Sequence, residues 1–509
     1  MGGPAAHLER PTSYDERMAP ARWRKFAFAL LILTYFIYFN WDGLWVRFAP
    51  DDMMNMASCW RPKPIGMLLD LFVPWRGAYR PMAGVFYLPL LWCFGLNPIP
   101  YHAVMLGILA GNLYLVYRFA RRIGCGELPA GLATLLLAYH AGLSMLYYST
   151  AFIYDVLCFS FYMGAFLCYA RVRAQGRLLR GGETALVVGL YLCALNSKEM
   201  ALTLPIVLLA YEWIYHPGNG RPAARTMRDI AAWLRGPGRV VLYCVALNLF
   251  YLYGKAFSPN ALMKSPAYHP ELSLHRVFAF EKTAMSDLFL TWGSFTWHGV
   301  VAVWIFLAWL AWRRPRPVLR FCWAFLMLTP LPLAFLVETR GAACLYIPLA
   351  GWAVFAAVVL TDVAGAMARF LAAPPLFRLA GYAGWFAAIL CAGFFFWAKQ
   401  NDHWKRTQVR HSMADVGRQT GAVLDQLRAL NPRVKPGSLV VFLNDPFEDW
   451  DMKFIAELWF RDPTLKFHLQ RKVPLPPEAL AKMTVFDFQD GRLVRVTVPQ
   501  LTGGGSPRP

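Results

Sequence analysis

The sequence predicts a polytopic α-helical membrane protein with a small α/β domain at its C-terminal end, and three observations predict it. Hydrophobic residues make up 57% of the 509 residues and charged residues only 16%, against about a quarter charged in an ordinary soluble domain. The apolar residues gather in runs of about 20, the length that crosses a bilayer core. Basic residues stand in short tracts beside those runs, as in Arg22, Arg24, Lys25 and Arg313, Arg314, Arg316. The net charge of +21 is therefore the charge of a chain oriented against an anionic membrane leaflet. No nucleic-acid partner is expected.

Taken in order, residues 1–24 read as a cytoplasmic N-terminal segment with no small-residue cleavage site before the first span. Residues 25–399 read as the transmembrane domain. Its candidate spans are 25–40, 101–120, 128–147, 151–170, 184–197, 200–215, 239–255, 288–312, 318–337, 341–361 and 377–397, about eleven helices. With the N-terminus in the cytoplasm, one set of loops holds Arg118, Arg121 and Arg122, then Arg171 to Arg180, Arg221 to Arg239, Arg313 to Arg320, and Arg369 with Arg378. That is the distribution of a positive-inside chain. An odd helix count then puts the C-terminal region on the outer face. The first outer loop, 41–100, is too long for a turn. Its short apolar stretches Ile65–Val73 and Met82–Phe94, bracketed by prolines, predict helices lying along the interface. Residues 400–502 predict a small α/β domain: a helix at Ala422–Leu430, a buried strand at Ser438–Leu443, and a hairpin over Val485–Val498 turning at Asp490-Gly491. Residues 503–509 read as a disordered tail.

The ten cysteines are scattered with no C-x-x-C pair, so neither a disulfide framework nor a zinc site is expected. Cys59 and Cys93 read as two unpaired thiols. No P-loop, H-E-x-x-H, G-x-G-x-x-G or G-x-S-x-G signal occurs. The histidines lack metal-ligand spacing; no cofactor is predicted, and a divalent metal stays open.

Charges beside a bilayer are costly and need a reason. Those at the outer ends of the spans are Asp51, Asp52, Arg80, Asp155, Lys198, Glu199, Glu338 and Arg340. Distant parts of the chain thus send opposite charges to one side. Asp51-Asp52, just beyond the first span, suits a base and its orienting partner, because a carboxylate there can take a proton from an attacking hydroxyl. Lys198-Glu199 interrupts two apolar helices; it suits a phosphate leaving group or, alternatively, a structural turn. Arg340 suits a phosphate through its bidentate guanidinium. Arg80, after Tyr79, is a third phosphate candidate or a helix cap.

Tyr79-Arg80-Pro81, Phe94-Gly95-Leu96-Asn97-Pro98 through His102, Asn196-Ser197-Lys198-Glu199 with Leu202 to Pro205, and Arg340 through Pro348 carry a resemblance. In this order they are similar to segments of protein O-mannosyltransferase-like membrane glycosyltransferases, above all the membrane part of transmembrane-and-tetratricopeptide proteins. The resemblance covers residues 25–360. It implies the GT-C fold, a catalytic first outer loop and a polyprenyl-phosphate-sugar donor. The loop's acidic pair then falls on Asp51 and Asp52, with Asp51 as base. Two departures stand out: Asp52 replaces the common Glu, and Gly-Ala-Ala follows Arg340 where the family has Tyr. No 34-residue helical repeat follows the membrane part.

The expectation is a bacterial inner-membrane enzyme that moves a sugar from a polyprenyl phosphate to a lipid, glycan or protein hydroxyl on the periplasmic side. Arg340, Lys198 and Arg80 would hold phosphate, supported by Glu199, Glu338, Asp155, Tyr79 and His102. A lipid-linked glycan flippase and a non-catalytic assembly factor are the alternatives.

Overall fold

A computed structural model describes residues 14–61, 64–73, 80–138, 140–216, 227–257, 268–290, 295–313, 316–337, 340–372, 380–480 and 483–496. Tyr79, Glu338 and the tail 503–509 lie outside the described residues.

The chain opens with α1 (Tyr14–Asn40) and a 3-10 turn, Trp41–Trp45. The first outer loop then folds into α2 (Pro50–Trp60), α3 (Pro64–Phe72) and α4 (Gly84–Phe94). Helix α2 was not among the elements read from the sequence in this loop. Its start is nonetheless written in the chain, with Pro50 at the first helical position and two acids in the first turn. Gly95, at φ +59°, ends α4, and Asn97 caps α5 (Pro98–Arg122) through the Ile99 N–H at 3.2 Å. That explains the Gly-Leu-Asn-Pro motif as a stop and a restart.

The bundle continues with α6 (Glu127–Ala138), α7 (Met145–Tyr148), α8 (Ile153–Arg173), α9 (Gly181–Ser197) and α10 (Leu204–Tyr215). Then come α11 (Met227–Arg235), α12 (Arg239–Phe257), α13 (Leu274–Phe289), α14 (Trp297–Arg313), α15 (Pro317–Leu328), α16 (Leu331–Ala334), α17 (Tyr346–Ala372) and α18 (Ala380–Trp404). Helices thus stand at all eleven candidate spans. Among the described residues six are long and apolar enough to cross a membrane, and a seventh arises if the pair Glu127–Ala138 and Ala141–Tyr148, bent by 53°, counts as one span. The span drawn at 288–312 is corrected: α13 is a separate amphipathic helix, and the apolar run starts at Trp297.

Small residues let the central helices close on one another. Ala130 and Ala133 of α6 and Ala350, Ala353 and Ala357 of α17 are fully buried. A Cβ on Gly351 would meet Phe325 at 2.6 Å. Phe119, Phe166, Phe321 and Tyr211 interlock at ring separations of 5.3–6.2 Å, tying α5, α8, α15 and α10 together. Ile305, Phe306 and Trp309 of α14 face outward, as lipid-exposed residues do.

A π-helical segment, Lys405–Arg410, joins α18 to α19 (His411–Leu430) and the C-terminal domain. There β1 (Leu439–Leu443), α20 (Asp451–Phe460), β2 (Lys466–Leu469), α21 (Pro477–Leu480), β3 (Thr484–Gln489) and β4 (Arg492–Val496) form a sheet of order β2-β1-β3-β4. Strand β1 pairs in parallel with both β2 and β3, while β3 and β4 form the antiparallel hairpin. Asp490 and Gly491 both sit at positive φ in its turn. The domain rests on the outer loop. Arg61 pairs with Glu457 at 2.6 Å and covers the Phe454 ring at 5.4 Å, and Arg47 pairs with Asp425. Cys59 is buried, Cys93 exposed, and both are free thiols.

Candidate active site

The acidic pair divides into two opposite environments. Asp52 is fully buried and accepts four hydrogen bonds: Ala49 N–H at 2.7 Å, Ser149 Oγ at 2.9 Å, Thr150 Oγ1 at 3.1 Å and Ala151 N–H at 2.6 Å. The first is half of a capping box; the others pin α2 to the turn before α8. Burial still outweighs these donors and pushes the Asp52 carboxyl up to about 6. Asp51, one residue earlier, is exposed on the first turn and, among the described residues, makes no hydrogen bond or ion pair. Partial desolvation raises its pKa.

Arg80 arrives by a strained route. Its backbone is left-handed, φ 53° and ψ 66°, a conformation costing a non-glycine residue about 1–2 kcal/mol. The following Pro81 disfavours the right-handed helical alternative. The side chain is buried against Glu199, with Nη2 at 2.6 Å and Nε at 3.1 Å from Oε2, and lies 5.3 Å from the Tyr154 ring centre. Lys198 and Glu199 separate at the break between α9 and α10. Lys198 is fully extended, φ −160° and ψ 151°, and neighbouring side chains on extended backbone point apart. Lys198 Nζ therefore meets Asp155 at 2.6 Å and Cys344 Sγ at 3.2 Å, while Glu199 meets Arg80, Lys255 at 3.8 Å and the Tyr251 hydroxyl at 3.3 Å.

One short segment organises most of this. Ser149, Thr150 and Ala151 hold Asp52, Tyr154 lies under Arg80, and Asp155 holds Lys198. Tyr87 of α4 fastens to the same segment by donating to the Thr150 carbonyl at 2.9 Å. Arg340 covers the Tyr268 ring at 4.6 Å and lies four residues before Cys344, which touches Lys198. Chain reach holds their Cα atoms within about 14 Å. His102 is buried in α5 beside the backbone of Val46 and Tyr147, at the root of the outer loop.

Tyr154, Tyr251, Lys255 and Cys344 belong to this cluster and were missed in the sequence. Lys255 carried a signal, as a cation at the outer end of a candidate span. A neighbouring knot was missed too: Asp42 accepts from Tyr148 at 2.7 Å and pairs with buried Lys405 at 3.1 Å, fastening the π segment to the base of the loop. Among the described residues no group of three or more His, Cys, Asp or Glu side chains is placed to hold a metal.

Chemically, the cluster sets three cations, Arg80, Lys198 and Lys255, against two carboxylates, Asp155 and Glu199, among the described residues. Such a site can receive a phosphate, and an exposed carboxylate stands on the neighbouring helix. No family model and no curated protein matches the sequence. Among solved structures, the chain is similar to ArnT from Cupriavidus metallidurans, crystallised bound to undecaprenyl phosphate. The identity is 13% and the TM-score 0.50, over 91% of this chain and 93% of that one. That likeness shows the fold: a polytopic GT-C bundle.

Proposed function

We propose that the protein transfers a sugar from a polyprenyl-phosphate donor to an acceptor hydroxyl, with inversion, at the periplasmic face of a bacterial inner membrane. The observation that carries this reading is the division of labour in the acidic pair. Asp52 spends its oxygens on holding α2, whereas Asp51 is held in place by that anchor and has its own oxygens unengaged. A general base needs such a combination of fixed position and open lone pairs. Asp51 takes the acceptor proton as the acceptor oxygen attacks the anomeric carbon. The bond from that carbon to the phosphate oxygen breaks, and its electron pair leaves with the polyprenyl phosphate.

Negative charge grows on the phosphate in that step, and cations fixed there in advance lower its energy. Lys198, Arg80, Lys255 and Arg340 are assigned that role, with Asp155 orienting Lys198 and Glu199 orienting Arg80 and Lys255. The undecaprenyl phosphate of the ArnT structure supports a lipid phosphate as the ligand. The opposite end of the bundle is rich in arginine, with Arg121, Arg122, Arg173, Arg177, Arg313 and Arg369, which supports the outward orientation of the site. The acceptor is a lipid, glycan or protein hydroxyl.

The test uses proteoliposomes and radiolabelled undecaprenyl-phosphate hexoses. Asp51→Asn is expected to lower transfer by about 10²–10⁴-fold, the range of a general base, with an unchanged melting temperature. Undiminished transfer by a well-folded Asp51→Asn protein overturns the assignment. The raised pKa of Asp51 also predicts that activity falls on acidification at a pH above that of an ordinary carboxylate, because the protonated form cannot accept the proton.

A further inference from the structure

Glu281 is a carboxylate in a hydrocarbon setting. It stands on α13 in the wall of a cavity of about 50 Å³ formed by α13, α14, α15 and α17. Leu288, Leu307, Leu326, Leu349 and Trp352 supply most of the apolar lining. Among the described residues the carboxyl has one hydrogen bond, from the Trp304 indole N–H at 3.2 Å, and no cation. Trp304 lies seven residues into α14 and Trp352 six into α17. The cavity is therefore about 10 Å inside the helix ends remote from Arg313 and Arg369. An ionisable group at such a depth is costly and calls for a partner.

The helix over the cavity is fastened at both ends. Ser273 caps α13 through the Arg276 N–H at 3.1 Å, and just before it the Glu271 N–H donates to the Phe335 carbonyl at 2.7 Å. At the other end His140 Nε2 donates to the Leu288 carbonyl at 2.9 Å, while its Nδ1 accepts from the Gly142 N–H. The cavity also borders the cation cluster: Leu345 lines it, and the preceding Cys344 touches Lys198 at 3.2 Å. A second cavity, of about 480 Å³, lies between α10 and α12; it begins at Leu202, three residues after Glu199, and has no ionisable side chain in its described walls. Two apolar compartments thus adjoin one set of phosphate-binding cations. The uncharged one suits the isoprenoid chain of an anionic donor, whereas a lipid phosphate beside Glu281 would be repelled.

We infer that the acceptor is a lipid and that the cavity beneath α13 is its subsite. Hydrocarbon next to the acceptor's head group lies against Leu349 and Trp352, and a hydroxyl or amine of the head donates to Glu281, the polar group that fixes its orientation. This rests on the reading of the protein as a sugar transferase. The lipid's hydroxyl oxygen attacks the anomeric carbon and gives its proton to Asp51, and the polyprenyl phosphate leaves with the electron pair. A protein or free glycan does not suit the depth, because its polar groups would be stranded in hydrocarbon without partners.

The test follows the label. The full chain is placed in proteoliposomes made with the lipid extract of its host membrane and supplied with radiolabelled undecaprenyl-phosphate hexose. Mild acid then strips the sugar from unreacted donor, a glycosyl phosphate, and leaves a glycosidic bond intact. Acid-stable label is expected in the chloroform–methanol phase. Ala284→Trp fills the cavity, and Glu281→Leu removes the carboxyl without filling it. Each is expected to lower the ratio of this product to sugar released into water by about tenfold or more, the worth of a hydrogen bond to a charged group. Glu281→Gln, which keeps an acceptor oxygen, should recover part of the ratio. Acid-stable label in protein or in the aqueous phase instead of lipid, or a ratio unmoved by both variants, overturns the inference. Failure of the transferase reading looks different: no sugar leaves the donor in any form, and the inference falls with it.

Discussion

Two buried ionic knots sit at the two ends of α8, and they differ in what they leave open. The helix has 21 residues, so the knots lie roughly 30 Å apart, about one bilayer core. At its last turn Arg173 grips Glu212 through two parallel contacts of 2.7 and 2.9 Å, and Tyr169 donates to the same carboxylate at 2.9 Å. One cation meets one anion, and the Glu212 side chain is entirely sealed. At its first turn Asp155 joins Lys198, but Arg80, Glu199, Lys255 and Tyr251 crowd alongside. The closed pair locks α8 to α10. The mixed cluster is drawn from five parts of the chain and has cations to offer an arriving anion. Burial alone does not mark a functional site; the composition of the knot does.

The largest effect that bears on this contrast is expected at the closed knot. Arg173→Ala strands a buried carboxylate and should cost about 3–5 kcal/mol of stability, read as a lower melting temperature, with activity per folded molecule unchanged. Next comes a pair of double replacements. Arg173→Met with Glu212→Gln removes both charges and should leave both fold and transfer near wild type. Asp155→Asn with Lys198→Met should keep the fold yet lower transfer by roughly 10²–10³-fold, about the loss from one transition-state donor. Equal activity losses from the two doubles would erase the distinction.

A smaller effect belongs to the anchor. Asp52→Asn keeps one acceptor oxygen and turns its amide hydrogens against the N–H of either Ala49 or Ala151, which donate to different oxygens, at a cost of about 1–3 kcal/mol, visible in thermal melts at neutral pH. Its pH dependence has a definite sign. The folded Asp52 pKa, about 6, lies above that of the unfolded chain. The stabilising contribution of its proton is therefore complete below the unfolded value, near 4, and lost as pH rises through about 6. Asp52→Asn should flatten that slope. The smallest effect is Arg61→Ala. Half-exposed, its pair with Glu457 is worth about 0.5–1 kcal/mol, so faster hydrogen exchange in α20 is the measurable change.

How much of this the sequence carries depends on the length scale. Helix positions are local properties of hydropathy, and α1, α5, α8, α12 and α17 stand where apolar runs stand. The β3–β4 hairpin was legible because Asp490-Gly491 can take positive φ twice in succession. The convergence of Arg80, Lys198, Glu199 and Asp155 was legible as a common side of the membrane, but not as contacts. Pairing Lys198 with Asp155 rather than Glu199 depends on one extended residue between helices.

The contrast between Asp51 and Asp52 was hidden because their neighbours are the same. Only the helical phase of α2, with Asp52, Met53, Met56, Ala57 and Cys59 turned inward, separates them, and the Pro50 start signal was the clue to it. The partnership of α2 with α20 joins residues some 400 positions apart, beyond any local pattern. In α13 the mixture of Glu281, Lys282 and Asp287 with apolar residues blurred the boundary with α14.

The most direct measurement is an electron cryomicroscopy map of the protein in nanodiscs with undecaprenyl phosphate. The phosphate should lie within hydrogen-bonding distance of at least two of Arg80, Lys198, Lys255 and Arg340, on the side that faces Asp51. A lipid phosphate bound reproducibly elsewhere, with the Arg80–Lys198 cluster closed upon itself as it is around Arg173, would contradict the account.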